Sequence, residues 1–173
     1  MRAFVTGGSG FLGRNLIAAL RVRGDDVRAL ARSAAAIEAV KEAGAEPIHG
    51  DLDDLAALKL GMQGCSVVFH AAAKSDDWGR LDEFLRVNVG GTEKVISAAR
   101  AAGVSRLVHV STEAILVGGG KIINADEGWP RPARPLGLYP MTKALAEERV
   151  LEANSPELTT VVVRPRFIWG QGD

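Results

Sequence analysis

Three glycines at three-residue spacing, Gly7, Gly10 and Gly13, separate an apolar run from a helical segment. The run covers about Arg2–Thr6 and reads as a strand; the segment covers about Phe11–Arg23 and reads as a helix. A strand that must turn at once into a helix through G-x-x-G-x-x-G leaves few folds open. Gly7 permits the sharp turn, Gly10 permits close approach of the backbone to a pyrophosphate, and Gly13 permits the helix to lie against the sheet. The helix start, with the backbone of Phe11 and Leu12, offers free N–H groups and a partial positive charge to phosphates. A Walker-type loop is excluded, because no Gly-Lys-Ser/Thr follows. An ordinary glycine-rich turn is the competing reading, and the strand before and helix after weigh against it.

The remaining pattern alternates strands with helices, the signature of a parallel α/β sheet. Strands are expected at about Asp26–Ala31, Glu46–His49, Ser66–His70, Arg106–Ser111 and Thr159–Arg164. Helices are expected over Ala34–Ala43, from Asp51 to Leu60, over Arg80–Ala102 and over Pro140–Ala153, with Gly118 to Leu138 as a loop. The acids at the start of the Asp51 helix also fit as simple caps. Right-handed crossovers give a Rossmann-type, doubly wound parallel sheet with strand order 3-2-1-4-5-6, one nucleotide-binding domain over residues 1–173.

Bulk properties narrow the function. With 21 basic and 21 acidic residues the net charge is +0, which points away from nucleic acid and other polyanions. No apolar run reaches the ~18 residues of a membrane span. The single cysteine, Cys65, forms no internal disulfide, and no signal peptide precedes the first strand, so a cytoplasmic location is expected. Metal-ligand spacing is absent, and His49, His70 and His109 read as satisfied histidines at strand ends.

The position about 20 residues beyond the fingerprint carries no acid; it reads Leu30-Ala31-Arg32-Ser33. A carboxylate there would hold a ribose 2′-hydroxyl, whereas Arg32 would attract a 2′-phosphate, with Arg14 adding to the same field. The expected cofactor is therefore NADP in preference to NAD; a solvated surface arginine is the alternative. Asp51 is placed to accept from the adenine amino group, with Leu52 packing on the ring. The small residues Ala71, Ala72 and Ala73 let the backbone lie against the cofactor.

Tyr139, the only tyrosine, and Lys143 are four residues apart and so share one helix face, roughly 5–6 Å apart at Cβ. A nearby ammonium and a positive nicotinamide ring would lower the phenol from its ordinary pKa of about 10 and fit Tyr139 for acid/base work. Thr112 closes strand five at the carboxyl edge of the sheet, where ligands bind in open α/β folds. An exposed helix pair is the alternative for Tyr139 and Lys143.

Taken in order, these motifs resemble the extended short-chain dehydrogenase/reductase superfamily, in its NAD-dependent epimerase/dehydratase and 3β-hydroxysteroid-dehydrogenase-like group. The matching residues are Thr6 to Gly13, Gly50-Asp51-Leu52, His70 to Ala73, Asn88 to Thr92, Val110-Ser111-Thr112, Tyr139 to Lys143 and Arg164 to Gly170. The resemblance implies Tyr139 as general acid/base, with Lys143 lowering its pKa and holding the nicotinamide ribose. It also implies Thr112 polarising the reacting oxygen (Ser111 its substitute), Asn88 fixing the helix or a relay water, and Pro165 lining the nicotinamide pocket. Hydride would pass between a small-molecule carbinol carbon and the nicotinamide.

Two departures qualify it. Leu116-Val117 stands where many relatives carry Tyr-Gly, which tilts away from a sugar-nucleotide epimerase and toward the hydroxysteroid-like branch. Such relatives are typically about twice as long, so the expectation is a fragment lacking most of the C-terminal substrate domain. The expected function is an NAD(P)-dependent oxidoreductase on a hydroxyl or ketone. The alternatives are a sugar-nucleotide epimerase or dehydratase with tightly bound NAD, and a non-catalytic dinucleotide sensor. A homodimer is left open.

Overall fold

The computed structural model describes residues 1–170 and 172–173. Six strands lie parallel in the order β3-β2-β1-β4-β5-β6: β1 Arg2–Thr6, β2 Asp26–Ala31, β3 Glu46–His49, β4 Val67–His70, β5 Arg106–Val110 and β6 Thr159–Val163. Order and strand positions agree with the expectation to within a residue or so at each end. The central strands are apolar runs because helices cover both of their faces.

Alternation along β1 assigns the faces. Ala3 and Val5 pack with Ile17 and Leu20 of α1 (Phe11–Val22) and Val40 of α2 (Ala34–Glu42). Phe4, between them, packs on the other face. That second layer takes Leu58 and Met62 of α3 (Leu55–Met62), Val95 and Ala98 of α5 (Gly91–Ala101), and Val150 of α6 (Leu138–Glu152). Strand order reverses between β1 and β4, so the crevice beyond their carboxyl ends is the site that this topology makes available.

Three helix boundaries differ from expectation, each for a local reason. α3 begins at Leu55, because Asp54 caps it: its Oδ1 accepts from the Ala57 N–H at 2.9 Å. α6 begins at Leu138, since Gly137 enters at φ 99°, and Pro140 falls within the first turn, where no N–H is required. The stretch expected as one helix runs as α4 (Leu81–Phe84), a π-helical segment Leu85–Gly90, and then α5. Asn88 occupies that wide turn.

Among the described residues no helix is long and apolar enough to cross a membrane. None of the described His, Cys, Asp and Glu side chains form a group placed to hold a metal.

Candidate active site and dinucleotide cleft

Gly7 leaves β1 at φ 74°, and a Cβ there would stand 2.7 Å from the Ala72 nitrogen. Gly13 is still more confined: a Cβ would meet the Gly7 carbonyl oxygen at 2.1 Å. Gly7 is therefore required by packing of the β1–α1 turn on the chain after β4, and Gly13 by packing of α1 on the turn itself. Gly10 is different, because a Cβ there meets only the Gly7 oxygen, at 3.4 Å. Its backbone lies open, which suits the approach of a ligand. Gly10 caps α1 without a side chain, and the first turn closes from the Arg14 N–H to the Gly10 carbonyl at 3.0 Å. The amides of Phe11, Leu12 and Gly13 precede that bond and have no intrahelical partner.

These amides border a cleft of about 880 Å³. With one exception, the residues expected on the nucleotide side from Gly7 to Ala73 line it, Arg32, Asp51 and Leu52 included. Arg14 does not; its guanidinium donates to the Gly172 carbonyl at 3.1 Å. Arg32 is 76% exposed and faces the Asp51 carboxylate at 3.7 Å. Asp51 also turns back on its own chain, accepting the Leu52 N–H at 2.7 Å. The attraction expected of Arg32 is thus shared with a neighbouring acid. The cleft has the free amides and the open Gly10 backbone that suit bound phosphates.

Thr112, Tyr139, Lys143 and Pro165 lie outside that lining, beyond the ends of β5 and β6. The two strand ends stay locked together, with Ser111 N–H donating to Val163 and Glu113 N–H donating to the Pro165 carbonyl at 3.1 Å. The Thr112 hydroxyl accepts the Ala114 N–H at 3.2 Å and lies near enough to the Tyr139 phenol to favour its charged form. The phenol pKa differs from expectation. Burial raises it, the polar Thr112 hydroxyl nearby opposes this, and the Lys143 ammonium is turned elsewhere. Lys143 donates to the Val110 carbonyl at 2.6 Å and lies 3.2 Å from His109 Nε2. Desolvation brings its pKa down to about 8, and Glu147 pulls in the other direction.

Asn88 is buried and bridges two elements. Its Oδ1 accepts the Lys74 N–H at 2.8 Å, while Nδ2 donates to the Lys74 carbonyl and to Thr142 Oγ1, each at 3.0 Å. It therefore pins the cleft wall at Lys74 to α6, one turn from Tyr139.

Two features escaped sequence reasoning. The buried Glu147 accepts two bonds from Arg164, at 2.6 and 3.1 Å; its place four residues beyond Lys143 on one helix was the available signal. His70 is satisfied as expected, by Thr6 Oγ1 at 2.7 Å and Thr92 Oγ1 at 2.9 Å. His49 is exposed and His109 is only half satisfied: its Nδ1 is buried with no partner.

Comparison with known proteins agrees with this fold. Residues 4–173 match the 3-beta hydroxysteroid dehydrogenase/isomerase family. The chain is 57% identical over its whole length to a 4-hydroxy-2-methyl-3-oxo-4-farnesyl-3,4-dihydroquinoline-1-oxide ketoreductase of Stigmatella aurantiaca. It is 42% identical, again over its whole length, to a 2-alkyl-3-oxoalkanoate reductase of Stenotrophomonas maltophilia. In each case it spans 52% of the relative's length, so it covers about half of the curated relatives it matches. A short-chain dehydrogenase/reductase superfamily protein from Agrobacterium tumefaciens with bound NAD superposes with a TM-score of 0.81 at 33% identity, covering 95% of this chain and 48% of that one. The chain belongs to the 3-beta hydroxysteroid dehydrogenase/isomerase family, within the extended short-chain dehydrogenase/reductase group.

Proposed function

We propose that this chain supplies the dinucleotide cleft and the acid/base group of an NAD(P)-dependent oxidoreductase that interconverts a ketone and a secondary alcohol. The observation that carries the reading is the cleft beyond the carboxyl end of β1, bordered by unpaired helix amides. Lys143, four residues from Tyr139 on one helix, is held at the end of β5 by the Val110 carbonyl. Ketone reduction by the two curated relatives supports the substrate class.

The bound nicotinamide would supply or accept hydride at the carbonyl carbon. The chain's own residues would do the rest. Burial keeps the Tyr139 phenol protonated at neutral pH, so it is poised to give its proton to the carbonyl oxygen as the alkoxide forms. In the reverse direction the phenolate would take the alcohol proton. Thr112 would orient that oxygen, Lys143 would offer an N–H to a ribose hydroxyl, and Asn88 would hold the cleft wall. Pro165 would close the nicotinamide end. Either dinucleotide suits the cleft; Arg32 would favour the 2′-phosphate of NADP, and Asp51 would oppose it.

The test pairs binding with turnover. NADH and NADPH are titrated into wild type and Tyr139→Phe by fluorescence, and oxidation of each is followed against a panel of 3-oxo esters and acids. The variant should bind as wild type does and lose turnover by about a hundredfold or more. Retained turnover would sink the role of Tyr139. Binding with no hydride transfer to any carbonyl would favour a sensor, and failure to bind would overturn the whole reading.

A further inference from the structure

We infer that His109 is a positioning residue for Lys143: its Nε2 accepts one ammonium N–H, which fixes the imidazole with its proton on Nδ1. The inference concerns the lysine on which the proposed function relies, but its geometry stands without turnover.

The two side chains meet inside the protein. Lys143 is 2% exposed and His109 is fully buried, with Nζ and Nε2 3.2 Å apart. The next residue on β5, Val110, takes a second N–H through its carbonyl at 2.6 Å. One strand thus provides two adjacent acceptors, one from a side chain and one from the backbone, and the third N–H stays available for a ligand. An ammonium has no lone pair and can only donate. Nε2 must therefore present its lone pair, and the proton of a neutral ring falls on Nδ1. That nitrogen is buried without a partner.

The alternative of an imidazolium is disfavoured, since burial and the Lys143 charge both hold His109 well below the usual histidine range. The neighbouring His70 ring lies 5.1 Å away, tilted by 43°, with both nitrogens engaged by Thr6 and Thr92; burial lowers it to about 3, so it too is neutral. From α6, Glu147 favours the charged lysine and is itself held by Arg164 and, at 3.8 Å, Arg131.

Position 109 shares the buried side of β5 with Leu107, where a leucine would fill the space and bring no polar atom of its own. A histidine that leaves Nδ1 unpaired there has a task other than packing. Holding Lys143 against the strand end, with one N–H free, is the task the geometry shows.

Nitrogen-15 histidine spectra of the wild-type chain at pH 7 test the tautomer directly. His109 should carry its proton on Nδ1; a proton on Nε2, or on both nitrogens, would overturn the inference. Titration of the Lys143 13Cε signal, assigned by its loss in Lys143→Met, tests the consequence. In His109→Leu the lysine should titrate lower by about one pH unit, having lost an acceptor for its charged form. His109→Gln should restore the wild-type value, because an amide oxygen also accepts. Identical titration in wild type and His109→Leu would refute the role. Should the leucine variant fail to fold, the wild-type tautomer still decides. A wild-type chain that binds no dinucleotide would refute the proposed function while leaving the tautomer result standing.

Discussion

Arg164, at the end of β6, closes on the fully buried carboxylate of Glu147 with two N–H donors, at 2.6 and 3.1 Å. The pair ties the last strand to the helix that carries Tyr139 and Lys143. Arg164→Met leaves Glu147 with Arg131 at 3.8 Å as its remaining partner. Breaking a buried pair from one side leaves an uncompensated charge, so stability should fall by about 3 kcal/mol in urea denaturation. Replacing both residues, as Arg164→Met with Glu147→Leu, should recover most of that loss.

The three glycines of the first turn should separate by experiment. A Cβ at Gly13 would strike backbone at 2.1 Å, so Gly13→Ala should cost about 1–3 kcal/mol and lower Tm by several degrees. Gly10→Ala meets only one atom, at 3.4 Å. Its Tm should be unchanged, while affinity for NADH or NADPH falls roughly tenfold because the methyl group occupies the phosphate approach. Calorimetry and a binding titration on the two variants check both halves.

Cofactor preference should follow the Arg32–Asp51 pair. Removing the guanidinium in Arg32→Ala should lower the NADPH-to-NADH affinity ratio about tenfold, the worth of one charge-assisted bond to phosphate. Asp51→Asn removes the carboxylate 3.7 Å from Arg32 and should raise the same ratio. Ratios that are equal in all three proteins would remove Arg32 from the argument.

Lys143 makes a signed contribution to stability against pH. Its pKa in the folded chain is about 8, against 10.5 for an exposed lysine. The unfolded chain therefore binds more protons between those values, and stability rises with pH across that window. The cost of burying the ammonium is fully present below pH 8 and is relieved above 10.5, a span worth about 3 kcal/mol. Lys143→Met should be more stable than wild type at pH 7 by up to that amount, with the gap narrowing as pH approaches 10. Urea midpoints at pH 7, 8.5 and 10 read it out.

The sheet was legible because a doubly wound fold buries its central strands as near-continuous apolar runs, and because each crossover handedness is fixed. Gly7, Gly10 and Gly13 announced the β1–α1 turn, and the nucleotide-side residues from Gly7 to Ala73, Arg14 apart, fell on one cleft. The chemistry beyond β5 was less legible. Spacing placed Tyr139 and Lys143 on one helix, but spacing cannot say where an ammonium turns. Its acceptors, Val110 and His109, lie more than thirty residues earlier in the chain and meet it only through packing. The expected lowering of the phenol failed for that reason: desolvation, invisible in sequence, outweighs a charge that is spent on the strand end. Arg14 misled because side-chain reach cannot be judged before the helix is placed.

The wide turn at Leu85–Gly90 lets this helix carry one residue more than a regular one without changing its path. Each residue of a wider turn advances less, so α4 and α5 keep the faces they would present along an unbroken α-helix. Phe84 stays fully buried on one side of the segment, with the Lys74 ammonium 5.2 Å from its ring centroid, while Asn88 within it grips the Lys74 backbone. A one-codon deletion of Asn88 would therefore leave a regular helix with Phe84 in its socket and cut the tie between the cleft wall and α6. The extra residue is dispensable to the helix and indispensable to what the helix holds.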